Sequence, residues 1–337
     1  MVQRDIVVIG ASAGGVQALK TLVSGLPSGF PAAILVVLHI PVYAPSQLHE
    51  ILDRAGPLRA GTGIDGEPIT PGRIYVASAD RHLMIESDRV RITRGPKENR
   101  MRPAVDVLFR SAAAACGPRV IGIILSGMLD DGTAGLWSIK DRGGVAIVQS
   151  PQDALHASMP ESARQHVTVD HTLPVAEMAA VLTRLTREPI VLQGEARISE
   201  LIEIENRIAR EGNALQTGVM RLGPVSPNTC PECHGVLVKI RQGGIVRFRC
   251  HTGHSFSLQS LLADVNDAID RGLWNAVRAI EERILLLREM EQLARERNDP
   301  AVAKECAEQA NQAEQRVQRI REVVLDKDML GHDPNFF

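Results

Sequence analysis

Aromatic residues are scarce in this 337-residue chain, at 3% of positions, so any core it builds is mostly aliphatic. A basic excess is also missing. Lys and Arg number 38 against 40 Asp and Glu, a net charge of −2, which speaks against nucleic acid as the main partner. No apolar run is long enough to cross a bilayer. The apolar stretch before Ala11-Ser12-Ala13 is too short for a signal peptide and contains Asp5, so the segment reads as mature protein and the chain as cytoplasmic. Cysteine is sparse too. Three of the five fall in one cluster with metal-ligand spacing, which favours a metal site over a disulfide framework.

What is present is a repeated alternation of apolar runs and helical patterns. Residues 1–185 hold expected strands at Ile6–Ile9, Ala33–Leu38, Arg73–Ala77, Val120–Leu125 and Val145–Gln149. Helical patterns at Val16–Ser24, Ala104–Cys116 and Thr133–Arg142 lie between them, and Leu83–Ser87 with Val90–Thr93 reads as an inserted hairpin. Buried strands separated by helices predict an α/β fold: a doubly wound, mainly parallel, Rossmann-like sheet.

The pattern changes after Leu185. Residues 186–227 read as a polar helix over Ser199–Arg210 followed by a Gly/Pro-rich linker, Leu222–Pro227. Residues 228–256 carry the Cys/His cluster. Residues 257–330 read as a helical hairpin, with seams at Leu273, Val277, Ile280, Ile284 and Leu287 and at Val302, Cys306, Ala310, Ala313, Val317, Ile320 and Val324. Asp299 caps the second helix and Pro300 opens it. Residues 331–337 form an expected frayed tail.

The first strand runs into Gly10-Ala11-Ser12-Ala13-Gly14-Gly15. G-x-S-x-G after a strand reads as a sharp turn that exposes a serine hydroxyl beside free N–H groups at a helix start. Ala13 and Gly14 are the candidate oxyanion donors. A serine needs a base. His39 ends the second apolar strand, and in a parallel sheet it would lie beside Ser12. His82, His156, His166 and His171 read as exposed loop histidines. The acid comes from the turn Ser126-Gly127-Met128-Leu129-Asp130-Asp131-Gly132, where one aspartate caps the next helix and another orients the imidazole. The order Ser, His, Asp differs from that of α/β-hydrolases. Against a dinucleotide site, Ser12 replaces the middle glycine of G-x-G-x-x-G, and His39 stands where a ribose-binding acid is expected.

Cys230-Pro231-Glu232-Cys233 and Cys250-His251-Thr252-Gly253-His254 flank an expected hairpin, Val236–Arg241 with Ile245–Arg249. Two knuckles on a hairpin read as a small zinc ribbon with Cys230, Cys233, Cys250 and His254 as ligands, His251 and His234 being alternatives for the fourth. Such a site is structural. Catalysis itself calls for no cofactor. Cys116 and Cys306 read as ordinary buried residues.

Several dispersed segments together resemble the catalytic domain of CheB-type protein-glutamate methylesterases. They are Ile9–Gly15, Leu38-His39-Ile40-Pro41, Arg102-Pro103-Ala104-Val105-Asp106-Val107-Leu108-Phe109, Ser126–Gly132 and Ser158-Met159-Pro160-Glu161-Ser162-Ala163. The resemblance implies a Ser12–His39–Asp131 triad, Asp131 being the aspartate that directly precedes glycine, with Met128 near the oxyanion site. It implies hydrolysis of γ-glutamyl methyl esters on methyl-accepting receptors, and in some members deamidation of receptor glutamines. Leu129 stands where the family often has glycine. No phospho-receiver domain precedes the first strand, so control by phosphorylation within the chain is not expected. A non-catalytic signalling scaffold of the same fold, or an esterase for another protein or small ester, are the alternative functions. The C-terminal helices are a candidate surface for a partner or for self-association.

Overall fold

A computed structural model describes residues 2–40, 46–190 and 198–326. The chain divides into two compact units, the second beginning at Leu262.

The first unit is built on a seven-stranded sheet. Its strands are β1 (Ile6–Ala11), β2 (Ala33–Leu38), β3 (Arg59–Thr62), β4 (Arg73–Val76), and, after a separate antiparallel hairpin of β5 (His82–Glu86) and β6 (Arg89–Thr93), β7 (Val120–Ile124), β8 (Val145–Gln149) and β9 (His171–Leu173). The order is β3-β4-β2-β1-β7-β8-β9, and every neighbouring pair is parallel.

Period-two alternation explains why both faces are covered. Val7, Ile9, Ile34, Val36, Ile121 and Ile123 face one core, together with Leu19 and Leu22 of α1 (Gly15–Ser24), Leu48 and Leu52 of α2 (Leu48–Ala55), and a helix that follows β9. Val8, Leu35, Val37 and Ile124 face the other, against Leu108 and Phe109 of α3 (Val105–Cys116), Leu136 and Ile139 of α4 (Thr133–Asp141), and Met159 of α5 (Ser158–His166). The helix after β9 is α6 (Val175–Leu185), which contributes Met178 and Leu182. The expected doubly wound parallel sheet is the one found. Its edge strands β3 and β9 were not among the expected ones. One is largely exposed and the other is three residues long, so neither carries a buried apolar run.

Beyond α6 come α7 (Glu200–Glu211) and the single turn α8 (Ala214–Thr217). Ser199 caps α7, accepting a hydrogen bond from Ile202 N–H. A four-stranded antiparallel sheet follows: β10 (Val225–Thr229), β11 (Val236–Gln242), β12 (Ile245–Cys250) and β13 (Ser255–Ser257). The Gly/Pro-rich segment expected to be a linker over Leu222–Pro227 is therefore partly strand. Pro227 is accommodated because β10 is an edge, where a missing N–H breaks no ladder.

The second unit consists of most of α9 (Leu258–Glu296) and of α10 (Pro300–Leu325). Asp299 caps α10, accepting from Val302 N–H, and Pro300 opens it. Ala303, Cys306, Ala310, Ala313 and Val317 form the buried stripe of α10. Val302, expected in that seam, is 41% exposed, because Ala303 takes the inward position one residue on. The expected tail lies outside the described residues.

Candidate active site and cysteine cluster

The chain order reverses around β1, which has β2 on one side and β7 on the other. That is the switch point where an open α/β sheet leaves a crevice beyond its strand ends. Ser12 follows β1 directly, and His39 follows β2, with His39 N–H donating to Ala11 O at 3.1 Å. Ser12 N–H donates to Ser126 O at 2.9 Å, just past β7. Ladder bonds thus bring all three strand ends to one edge.

The turn at Ser12 is tightly fitted. Gly14 has φ +78, and a Cβ there would lie 2.6 Å from Ser126 Oγ. A Cβ on Gly127 would come within 2.9 Å of the Ser12 Cβ and 2.1 Å of Met159 Sδ. Ser126 closes the loop by donating its hydroxyl to Ala13 O at 2.7 Å and accepting from His156 N–H at 3.0 Å. Among the described residues, neither Ala13 N–H nor Gly14 N–H has a hydrogen-bond acceptor in the chain. Met128 is 54% exposed at the tip of the acid turn.

His39 Nε2 lies 2.8 Å from Asp131 Oδ2, with the two side chains 7% and 3% exposed. Asp131 is gripped from several directions. Its Oδ2 also accepts from Val105 N–H at 2.7 Å, and its Oδ1 accepts from Asn99 Nδ2 at 2.8 Å and Asp106 N–H at 3.1 Å. The carboxylate therefore sits on the N-terminus of α3, where free N–H groups and the helix dipole favour negative charge. Burial pushes its pKa up, but the hydrogen bond to His39, the positive charge that ring has when protonated, and the hydrogen bonds from Asn99 and Val105 N–H outweigh burial and hold it below the usual carboxylate value. An ionised acid can only accept, so His39 Nε2 carries a proton, and in the neutral ring the lone pair lies on Nδ1. No hydrogen bond joins Ser12 to the imidazole among the described residues, as is common before a substrate tightens such contacts.

Neither aspartate of the turn caps α4 through its side chain, contrary to one reading of the sequence: the N-cap is Gly132. Asp131 caps α3 instead, and Asp130 Oδ1 accepts from Ser257 Oγ at 2.6 Å. Asp106, for which the sequence offers no role of its own, is a buried neighbour of Asp131. Burial, then the charge of Asp131, push its pKa up to about 7. His82 is not an exposed loop histidine. It is fully buried in β5, donating Nε2–H to Pro96 O and accepting from Ala104 N–H. His171 likewise lies in β9. Pro41 lies outside the described residues.

The cysteine cluster closes between β10, β11, β12 and β13. Ligand atoms of Cys230, Cys233, Cys250 and His254 all lie within 4.8 Å of one another. Cys233 Sγ and Cys250 Sγ are 3.8 Å apart, and His254 Nδ1 is 3.6 Å from Cys250 Sγ and 3.7 Å from Cys230 Sγ. A tetrahedron with metal–sulfur bonds of about 2.3 Å has sulfur–sulfur edges of about 3.8 Å, so the donor set fits such an ion. Thr252 Oγ1 lies 2.9 Å from Cys250 Sγ, and His254 N–H donates to the same sulfur at 3.2 Å. His251 and His234 lie outside this group. Cys116 and Cys306 are both buried.

A doubly wound sheet with a serine turn and a buried His–Asp pair at its switch point belongs to a class of α/β proteins equipped for acyl transfer. The family model for CheB methylesterase matches residues 7–182. A putative protein-glutamate methylesterase/protein-glutamine glutaminase of Leptospira interrogans is 37% identical over 182 residues, covering 54% of this chain and 94% of that protein. The protein-glutamate methylesterase/protein-glutamine glutaminase 2 of Methanosarcina mazei is 35% identical over 192 residues, 55% of this chain and 52% of that protein. The crystal structure of the Thermotoga maritima CheB methylesterase catalytic domain superposes with a TM-score of 0.52 at 34% identity, covering 55% of this chain and all of that domain. The chain belongs to the CheB methylesterase family.

Proposed function

We propose that this protein is a serine hydrolase that demethylates γ-glutamyl methyl esters on methyl-accepting chemotaxis-type receptors and deamidates receptor glutamines. The observation that carries the reading is the 2.8 Å His39–Asp131 pair at the strand end next to the Ser12 turn.

In this reading His39 Nδ1 takes the Ser12 proton as Oγ attacks the ester carbonyl, and Ala13 and Gly14 N–H hold the oxyanion. The C–O bond to methanol breaks as the imidazolium returns the proton. Water, deprotonated by the same nitrogen, then attacks the acyl-serine and frees the glutamate. Asp131 keeps the tautomer and stabilises the imidazolium. Met128, exposed in the turn that carries Asp131, is read as lying near the oxyanion site. An amide substrate follows the same path and releases ammonia.

The cysteine cluster is proposed as a structural Zn²⁺ site. Three thiolates and one imidazole fill four positions and leave none open for chemistry, so the ion's contribution would be to fold stability. No described helix is long and apolar enough to cross a membrane, which supports a reading of the chain as a cytoplasmic enzyme.

Methanol release from a receptor carrying γ-glutamyl methyl esters tests the activity. Full-length protein should release methanol, and Ser12→Ala should abolish it. Full activity in Ser12→Ala would sink the triad assignment.

A further inference from the structure

Asn99 occupies a position that no chemistry described so far requires. It is 5% exposed and has φ +50, a conformation that Asn tolerates better than most residues. Its amide nitrogen donates one hydrogen to Asp131 Oδ1 at 2.8 Å and the other to Asp106 Oδ2 at 2.9 Å. Its carbonyl accepts from Ser257 N–H at 2.9 Å and Ser260 Oγ at 3.3 Å. Two donors and two acceptor sites are thus all used. The amide orientation follows from the partners: the ionised Asp131 can only accept and a backbone N–H can only donate, so a flipped amide would face both wrongly.

The groups holding Asn99 come from far along the chain. Ser257 ends β13 and Ser260 lies in the first turn of α9, both inside the first compact unit. Asn99 N–H donates to Ser255 O at 2.8 Å, and Ser255 N–H donates to Lys97 O at 3.1 Å. Ser255 follows His254 of the cysteine cluster, and Lys97 Nζ pairs with Glu232 of the other knuckle at 2.7 Å. Both knuckles therefore fix the segment that carries Asn99.

We infer that Asn99 is a positioning residue for the triad acid, and that the segment Ser255–Ser260 beyond the cysteine cluster holds it in place, so that the C-terminal part of the first unit completes the esterase site. The inference rests on the reading of Asp131 as the acid of the triad. Without the Asn99 amide, Asp131 and Asp106 would lose the side-chain donor that bridges their carboxylates, and Asp131 Oδ1 would keep only the longer bond from Asp106 N–H at 3.1 Å, so the carboxylate would be held less firmly against His39. The groups facing this carboxylate are His39 from the end of β2, Asp106 of α3, and Asp130 in its own turn. Arg110 of α3 and Arg247 of β12 act on Asp106 from further off.

Asn99→Asp in the full-length protein is the test, because it keeps the shape and replaces the donor by a carboxylate. With folding checked by circular dichroism, kcat for methanol release should fall about 10- to 100-fold at pH 8, with KM unchanged. The ratio of variant to wild-type kcat should climb as pH falls, since a protonated carboxyl regains one donor. A purely structural role would not produce that pH-dependent recovery. Ser260→Ala should lower kcat by about 2- to 10-fold at constant KM, and Ser260→Thr should restore it. If Asn99→Asp fails to fold, the Ser260 pair decides. Wild-type kcat and pH profile in whichever variant folds overturns the inference. Ser12→Ala run in parallel separates the two failures: an inactive Ser12→Ala beside unaffected Asn99 and Ser260 variants removes only the positioning role, whereas an active Ser12→Ala removes the triad itself.

Discussion

Glu205 receives Arg247 through two parallel hydrogen bonds of 2.8 Å, and both side chains lie in the interior. Arg249 reaches the same carboxylate at 2.8 Å and also Glu98 at 2.8 Å, which in turn holds Arg110 through two hydrogen bonds. This network ties α3 and the loop before it to α7 and β12. Charges so deep carry a desolvation penalty that their mutual pairing must offset. Glu205→Gln leaves buried guanidinium groups without their counter-charge and should destabilise the protein by about 3–5 kcal/mol. Urea denaturation checks it, and a loss under about 1 kcal/mol would show that the cluster contributes little.

The same network sets the response to acid. Burial pushes the Glu98 carboxyl up, but the charges of Arg110 and Arg249 outweigh it and bring its pKa from 4.5 to about 2. Glu205 is lowered for the same reasons, with Arg247 the chief opposing charge. A depressed folded-state pKa contributes stability that is present above the unfolded value and lost as pH falls through the folded one. Unfolding free energy should therefore drop between about pH 4.5 and pH 2, and Glu98→Gln should flatten that limb while lowering stability near neutrality. An unchanged acid limb in the variant would assign it to other carboxylates.

How legible these features were in the sequence depended on range. The Ser12 turn, the strand end at His39 and the Cys/His knuckles are local patterns, in which glycines, apolar runs and short spacings carry the signal. The edge strand Arg59–Thr62 has no buried run to betray it. Glu205 sits on α7 among other charged residues and looks like one more solvated carboxylate until Arg247 and Arg249 arrive from β12. Asn99 meets Ser257 only after the whole chain has folded between them. His82 gave no local sign that Pro96 O and Ala104 N–H would satisfy both its ring nitrogens.

Leu129 takes φ +60 in the acid turn, the left-handed region where a branched side chain is strained. That strain is worth about 1–2 kcal/mol, partly offset by the extra freedom glycine gains when unfolded, about 0.5–1 kcal/mol. Leu129→Gly should raise stability by up to about 1 kcal/mol and leave KM unchanged. A lower melting temperature would mean that the half-buried leucine side chain contributes packing that exceeds the strain.

Removing the metal tests the cysteine cluster directly. Purified protein should contain one equivalent of zinc by elemental analysis, and Cys233→Ser should lose most of it, because a hydroxyl replaces one of the three thiolates and weakens the site. Zinc held at a concentration about 1,000-fold above its dissociation constant would stabilise the folded state by about 4 kcal/mol, so the variant's melting temperature should fall by several degrees or more. Treating wild-type protein with a strong chelator should reproduce the shift, and re-addition of zinc should reverse it. Three results would separate the sulfurs from any metal role: no zinc in the native protein, an unchanged melting temperature in Cys233→Ser, and no effect of chelator.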